Sequence, residues 1–168
     1  MKVVQLLDKS HARESFDCGS VALNQFLKQT ARQHVQKGIS RTFVLIDSDH
    51  PQEIIGFFTL TLCEVRIQEL SPKWAKKYPP IVSGIKLARL AVDQNWQAKG
   101  IGGILIVEAM RRAIVVAKNA GGIGLFVDAK DEAAKNFYLR YGFESLESSA
   151  LQMFLPMLAV ESFLNSQS

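Results

Sequence analysis

Residues 87–93 read LARLAVD, and residues 97–103 read QAKGIGG. The first stretch has the branched, apolar character of a strand, and the second is a glycine-rich turn that leads into a long apolar stretch with helical character. The first N–H groups of a helix have no partner inside the helix, and the helix dipole makes that end positive. Strand, turn and helix in this order therefore predict an anion site of the kind that holds a phosphate.

Two common phosphate loops do not fit this turn. A Walker A loop needs Lys followed by Ser or Thr directly after its glycines, but Ile104 and Leu105 follow here. A dinucleotide fingerprint needs the spacing G-x-G-x-x-G, whereas residues 100–103 give G-x-G-G. The phosphate of another class of ligand is therefore expected.

A second motif, DEAAKNFYLRYGF, occupies residues 131–143. Together the two segments resemble the GCN5-related N-acetyltransferase (GNAT) family, which has a Q/R-x-x-G-x-G/A pyrophosphate loop followed by N-x-x-A-x-x-x-Y-x-x-x-G-F. The segments FDCG at residues 16–19 and LNQFL at residues 23–27 narrow the resemblance to the GNAT toxins of bacterial toxin–antitoxin pairs. The match covers residues 16–158.

The resemblance implies an α/β (α+β) fold in one GNAT domain over residues 1–168. Its sheet is mixed but mostly antiparallel, splayed at the fourth and fifth strands and flanked by helices. The hydrophobic patterns predict the order β-α-β-β-β-α-β-α-β, in which the last β stands for two closing strands, and this order agrees with the resemblance. The predicted strands are 2–7, 42–47, 53–67, 86–92, 123–129, 144–146 and 151–155, and the predicted helices are a segment closed by Gly38, 100–119 and 131–141.

Acetyl-CoA is the co-substrate that the resemblance implies, with no metal ion. Backbone amides at the helix start would neutralise the pyrophosphate, and the backbone of residues 90–92 would pair with the amides of the pantetheine arm. Ala98 and Asp131 depart from the glycine and asparagine common in the family. The predicted cofactor contacts are Leu90, Ala91, Val92, Gln97, Lys99, Gly100, Ile101, Gly102, Gly103, Asp131 and Phe137.

Tyr138 is the predicted catalytic residue. When an amine attacks a thioester, a thiolate leaves, and a phenol within hydrogen-bond reach can stabilise or protonate it. A tyrosine at this helical spacing can also be a plain core residue, and the flanking motif favours catalysis. No general base is assigned, although Glu64 is a candidate by its place on the third strand. An α-amino group titrates near 7.7–8, so it needs little help in losing its proton.

The surplus positive charge lies in residues 66–89, where six basic side chains stand against Glu69 alone, in a chain of net charge +4. Pro72, Pro79 and Pro80 predict an irregular surface segment there. A solvated loop is one interpretation, and a phosphate-binding patch with Trp74 and Tyr78 as stacking faces is the other. The predicted tRNA contacts are Lys28, Arg32, Lys76, Lys77, Lys86 and Arg89.

The resemblance implies a toxin that acetylates the α-amino group of aminoacyl-tRNA and thereby blocks translation. Its implied partners are a ribbon-helix-helix antitoxin and a second copy of the chain in a homodimer. Two alternatives stay open: a GNAT enzyme for a small-molecule or protein amine, and a non-catalytic acetyl-CoA-binding module.

Composition indicates a cytoplasmic protein with no membrane span. The apolar run at residues 3–7 is too short for a secretory signal. Cys18 and Cys63 lack C-x-x-C spacing and are expected to be reduced thiols. The last residues, 162–168, are expected to fray.

Overall fold

The computed structural model describes residues 1–167. These residues form seven strands and six α-helices, with a π-helical turn at Phe26–Thr30 and 3-10 turns at Ile67–Glu69 and Gln94–Trp96. The strands are β1 (Lys2–Leu6), β2 (Arg41–Asp47), β3 (Gly56–Arg66), β4 (Ile81–Val92), β5 (Gly124–Asp128), β6 (Glu144–Ser145) and β7 (Gln152–Pro156). The helices are α1 (Val21–Gln25), α2 (Ala31–Lys37), α3 (Pro72–Ala75), α4 (Ile101–Ala120), α5 (Glu132–Leu139) and α6 (Met157–Ser166).

The strands form one mixed sheet in the order β1-β2-β3-β4-β5-β7-β6. Strand β2 is antiparallel to both β1 and β3, and β7 is antiparallel to both β5 and β6. The single parallel pair is β4 with β5, which α4 connects. The predicted mixed, mostly antiparallel sheet with flanking helices is therefore confirmed.

The residues group into two compact units, and β3, β4 and α4 each contribute to both. The first unit contains residues 1–61 and 87–109. Its core packs side chains of the first helical segment, among them Phe26, Leu27 and Ala31, against Phe57 of β3. Gly38 ends α2 with a φ of +72°, the left-handed conformation that favours glycine, as its predicted role as a helix cap requires.

The second unit contains residues 62–86 and the chain from Met110 onward. Its core stacks Phe126 of β5 on Phe154 of β7, with ring centroids 4.7 Å apart. Gly84 of β4 lies against the first of these rings, where a Cβ would come within 2.4 Å of Phe126 Cε2. Residue 84 must therefore be glycine for β4 and β5 to pack this closely.

The structure differs from three sequence predictions: the start of β4, the irregularity of the basic window and the fraying of the last residues. Strand β4 begins at Ile81, and α3 occupies Pro72–Ala75, so the basic window is only partly irregular. Helix α6 contains residues 162–166, which were expected to fray, and Phe163 packs on Tyr141 with ring centroids 5.6 Å apart. Residue 168, which was also expected to fray, lies outside the described residues.

Helix α4 is buried along one stripe only. Leu105, Ile106 and Ala109 are fully buried, but Ile104 and Val115 are 39% and 58% exposed. Because most of its residues are apolar, the sequence of α4 favours burial over most of the helix surface. The exposed stripe corrects that expectation.

Both cysteines, Cys18 and Cys63, are free thiols, as expected. Among the described residues, no helix combines the length and the apolar character that crossing a membrane requires. Residues 1–167 also contain no group of three or more His, Cys, Asp or Glu side chains arranged to hold a metal ion.

Candidate active site

The predicted phosphate loop connects β4 to α4 through two left-handed residues. Ala98 has a φ of +61° and Gly100 a φ of +79°, and α4 begins at Ile101. The first turn of α4 contains no acidic side chain, so nothing on the helix itself neutralises its positive end. Left-handed residues just before the free N–H groups of a helix start are typical of backbone that binds anions.

Ala98 is strained by this geometry, because a left-handed residue other than glycine costs on the order of 1 kcal/mol. The resemblance to GNAT proteins implies glycine at this position. Glycine adopts this φ without strain, which gives a physical reason for that expectation.

The end of β4 offers backbone groups on the edge that faces away from β3. Ile55 O accepts the Asp93 N–H at 2.9 Å, and a Cβ on Gly56 would lie 2.9 Å from Ala91 O, so residues 91 and 93 face β3. Backbone direction alternates along a strand, and Leu90 and Val92 therefore point to the opposite edge. Strand β5 pairs with β4 on this same edge, and the backbone of residues 90–92 is the part predicted to pair with an amide-bearing ligand.

Gln97 uses its side chain inside the protein. Its Nε2 donates to Val92 O at 2.9 Å and to Cys18 O at 3.1 Å. The side-chain amide thus joins the end of β4 to the FDCG segment. A contact from Gln97 to a cofactor stays a prediction, and these bonds leave its backbone as the better candidate for one.

Tyr138 is the buried aromatic residue of α5. It is 7% exposed and packs edge-on against Phe137 and Phe143, with ring centroids 5.2 and 5.4 Å away. No hydrogen bond to its hydroxyl occurs within residues 1–167. Burial, which disfavours the charged phenolate, raises the pKa of Tyr138 to about 12. At neutral pH the residue is therefore a protonated donor without a hydrogen-bond partner in the described part of the chain.

This pKa makes stability depend on pH in the alkaline range. The pKa is about 10 in the unfolded chain and about 12 in the folded one, so the stabilising contribution is complete below pH 10 and is lost between pH 10 and 12. We expect the free energy of unfolding to fall less steeply over that range in Tyr138→Phe than in the parent, by about 2–3 kcal/mol in total. Denaturant unfolding at pH 9 and pH 11.5 measures this, and parallel curves would show that the phenol is not desolvated.

The two other predicted cofactor contacts on α5 have structural partners. Asp131 caps the helix, and its carboxylate accepts the Ala134 N–H at 2.8 Å. Phe137 is half-buried between Tyr138 and Tyr141, with the Arg140 guanidinium 5.6 Å from its centroid. Asp131 therefore has a sufficient local role, and its contact with a cofactor stays a prediction.

The predicted tRNA contacts differ in how far their charge is already neutralised. Lys76 and Lys77 are exposed on the segment after α3, and Lys77 Nζ lies 5.7 Å from the Trp74 centroid. Lys86, in contrast, is ion-paired with Asp128 at 2.6 Å. Trp74 is half-buried and donates to Glu144 Oε1 at 3.0 Å, so it is an anchor of this segment rather than an open stacking face.

Three further predicted contacts lie in the first unit. The Arg89 guanidinium stacks on Phe26, with Cζ 3.6 Å from the ring centroid, and partial burial lowers the pKa of Arg89. A stacked guanidinium presents its N–H donors edge-on, which suits a phosphate. Lys28 and Arg32 are half-buried on the neighbouring helical turns.

Glu64, the candidate general base, lines a cavity of about 120 Å³ in the second unit. The same cavity is lined by the Lys86–Asp128 ion pair and by apolar side chains that include Phe126 and Met153. The carboxylate of Glu64 is exposed. Nothing in this arrangement distinguishes it as a base.

Residues 38–145 match the model of the acetyltransferase (GNAT) domain, which covers most of the chain and includes both motifs. The chain belongs to the GNAT acetyltransferase family. The tRNA-acetylating toxin of Mycobacterium tuberculosis is 31% identical to this GNAT protein over 144 residues, which are 85% of this chain and 84% of the toxin.

Solved GNAT structures match this GNAT protein over nearly its whole length. A tyrosine-to-phenylalanine mutant of KacT is 31% identical with a TM-score of 0.89, and the match covers 96% of this chain and 98% of KacT. AtaT complexed with acetyl-methionyl-tRNAfMet is 29% identical with the same TM-score and the same coverage. AtaT has also been solved as AtaTR bound with AcCoA, at 27% identity, TM-score 0.79 and 96% coverage of both chains. The AtaT mutant bound to the C-terminus of the antitoxin AtaR is 26% identical with a TM-score of 0.82, and the match covers 96% of both chains.

Proposed function

We propose that this GNAT protein is a toxin that transfers the acetyl group of acetyl-CoA to the α-amino group of an aminoacyl-tRNA. The observation that carries the proposal is the likeness to AtaT, solved with its acetylated methionyl-tRNA, over 96% of the chain. The family membership supports acetyl transfer, and the relatives' tRNA substrates support the acceptor. Acetylation of the α-amino group removes the nucleophile that peptide-bond formation needs, so translation stops.

The loop of residues 97–103 binds the pyrophosphate of acetyl-CoA in this proposal. Its amides and the positive end of α4 offset the charge of the phosphates, and Lys99 adds a cation at the rim. The outward backbone groups of Leu90 and Val92 pair with the amides of the pantetheine arm, as an added strand would. The AcCoA-bound structure of a relative supports the identity of the co-substrate.

Tyr138 stabilises the leaving thiolate. The amine nitrogen attacks the thioester carbonyl carbon, a C–N bond forms, the C–S bond breaks and the sulfur leaves with the electron pair. A thiol has a pKa near 8.5 and the buried phenol one of about 12, so complete proton transfer from phenol to thiolate is uphill. The phenol therefore acts as a hydrogen-bond donor to the developing negative charge, and the proton released by the amine passes to solvent.

The acceptor explains why the site needs no dedicated base. An α-amino group titrates near 7.7–8, and the ester carbonyl beside it lowers this further, so much of it is neutral at cytoplasmic pH. A lysine ε-amine, with a pKa near 10.4, would need far more assistance in losing its proton.

The proposed contacts to tRNA phosphates are the exposed Lys76 and Lys77, together with Arg89, Lys28 and Arg32.

The proposed partners are an antitoxin and a second copy of the chain. Relatives have been solved with the antitoxin AtaR and as a KacTA–DNA complex, which supports a neutralising partner for this protein too. We propose that this partner is of the ribbon-helix-helix class, that the toxin is a homodimer, and that it acts in the cytoplasm, where charged tRNA is found.

A transfer assay with labelled acetyl-CoA tests the proposed acceptor. We expect label in the aminoacyl-tRNA fraction, lost when the aminoacyl ester is hydrolysed, and none in uncharged tRNA. Free amino acids, polyamines and histone-like peptides serve as competing acceptors in parallel reactions. Label on those amines but not on charged tRNA would refute the tRNA substrate and leave a GNAT enzyme of another amine.

A further inference from the structure

The FDCG segment, residues 16–19, contacts the turn that precedes the cofactor loop. The Asp93 carboxylate, 8% exposed, accepts the Asp17 N–H at 3.1 Å through one oxygen and the Asn95 N–H at 2.9 Å through the other. In return, Asp17 O accepts the Gln94 N–H at 2.8 Å. Two chain segments 76 residues apart are thereby joined backbone to backbone and through one buried carboxylate.

Gln97 makes a further connection. Its amide spans Cys18 O and Val92 O, at 3.1 and 2.9 Å, directly before the left-handed Ala98. The turn between β4 and α4 is therefore held at both ends, by Asp93 where the strand stops and by Gln97 where the loop starts.

The FDCG segment is itself rigid. One Asp17 oxygen accepts from the Gly19 N–H and from Asn24 Nδ2, both at 2.9 Å, and Asn24 Oδ1 accepts the Cys18 N–H at 2.9 Å. Gly19 has a φ of +90°, and a Cβ there would lie 3.1 Å from Gln94 Nε2. A segment fixed in this way can impose a conformation on the turn it contacts.

The cofactor loop requires such support. It contains a strained alanine at φ +61°, and strained backbone persists only where surrounding contacts over-determine it. Anion binding by amides also depends on their being aimed before the ligand arrives.

We propose that Asp17, Asp93 and Gln97 are positioning residues that hold the amides of residues 98–103 on the pyrophosphate of acyl-CoA. The inference rests on the proposed cofactor role of that loop. None of the three side chains needs to touch the cofactor. Their effect should therefore be larger on the phosphate-bearing part of the donor than on the pantetheine arm.

Gln97→Met tests this, because it keeps the length of an exposed side chain and removes both donated hydrogen bonds. We expect the KM for acetyl-CoA to rise about tenfold, the order that two lost hydrogen bonds give. The kcat/KM for S-acetylpantetheine, which has the thioester but no pyrophosphate, should fall much less, because only the hydrogen bond from Gln97 to Val92 O touches the pantetheine edge of β4. Asn119→Leu is the matched control, since Asn119 Nδ2 donates to a single backbone oxygen, Val115 O, late in α4.

Hydrogen exchange on the free protein supplies a readout that needs no donor. The bonded N–H groups of Asp17 and of residues 93–96 should exchange faster in Gln97→Met, while those of β1 and β2 keep the parent rate. Asp93→Asn should speed this exchange further. The two N–H groups that Asp93 accepts each need a carboxylate oxygen, and asparagine has only one acceptor oxygen in its side chain.

The outcomes are separable from those of the proposed function. If the parent protein uses neither acetyl-CoA nor S-acetylpantetheine, the proposed cofactor role of the loop fails. Unchanged hydrogen exchange in Gln97→Met would then also overturn the positioning role. If the parent uses acetyl-CoA but Gln97→Met changes both donors equally, or neither, the positioning role is wrong.

Discussion

Replacing Tyr138 by phenylalanine is expected to lower kcat about 100- to 1,000-fold, the range found when one preorganised donor to a developing anion is removed. The ring contacts with Phe137 and Phe143 survive the change, because only the hydroxyl is lost. Affinity for acetyl-CoA should stay within about twofold, since the donor acts on charge that appears only in the transition state. Single-turnover acetyl transfer, with acetyl-CoA binding measured separately, checks both expectations.

Tyr141→Phe is the matched control for this variant. Tyr141 lies three residues further on, is half-buried and packs on Phe137 and Phe163 through its ring. It should keep turnover near the parent value. An equal loss in both variants would mean that packing at the end of α5, rather than the Tyr138 hydroxyl, limits the rate.

Neutralising Lys76, Lys77 and Arg89 together is expected to weaken tRNA binding about 100-fold at low salt. Each lost phosphate contact also lowers the slope of log affinity against log salt by about one, so the slope should fall by two to three. Turnover with a saturating amount of tRNA should change much less. Filter-binding or fluorescence titrations at four salt concentrations measure the slope.

Three single variants make this test specific. Lys86→Met should change tRNA affinity less than Lys76→Met, because the Lys86 charge is already paired with Asp128. Lys118→Ala removes an exposed charge in the last turn of α4 and controls for net charge alone. If all of these variants weaken tRNA binding equally, the effect is one of overall charge, and the proposed contacts to tRNA phosphates are wrong.

Local signals explain what the sequence could predict. The Gly38 cap, the glycine turn before α4 and the strand character of β5 each depend on residues within a few positions of one another, so the pattern carries them. The family resemblance also gave the sheet type. The ends of the elements were predicted less well. Pro79 and Pro80 favour irregular structure, but β4 begins directly after them at Ile81.

Long-range contacts explain what it could not predict. The role of Asp93 depends on Asp17, 76 positions earlier, and no local pattern signals that pair. Asp131 is the reverse case, since an acidic residue directly before a helix is an ordinary cap, and its contact with a cofactor stays a prediction. Helix α6 has a local pattern that favours a helix, a proline at its start followed by an apolar helical stripe. The serines near the end of the chain favoured fraying instead.

Equilibrium titration of the purified protein with acetyl-CoA tests the central claim, that the loop between β4 and α4 holds coenzyme A, most directly. Calorimetry at two temperatures avoids mistaking a binding enthalpy near zero for absence of binding. We predict saturable binding of one acetyl-CoA per chain, with a dissociation constant in the roughly 1 μM–1 mM range typical of enzyme substrates, and weaker binding in Gly100→Val. No heat at either temperature, or equal affinity in the parent and in Gly100→Val, would contradict it.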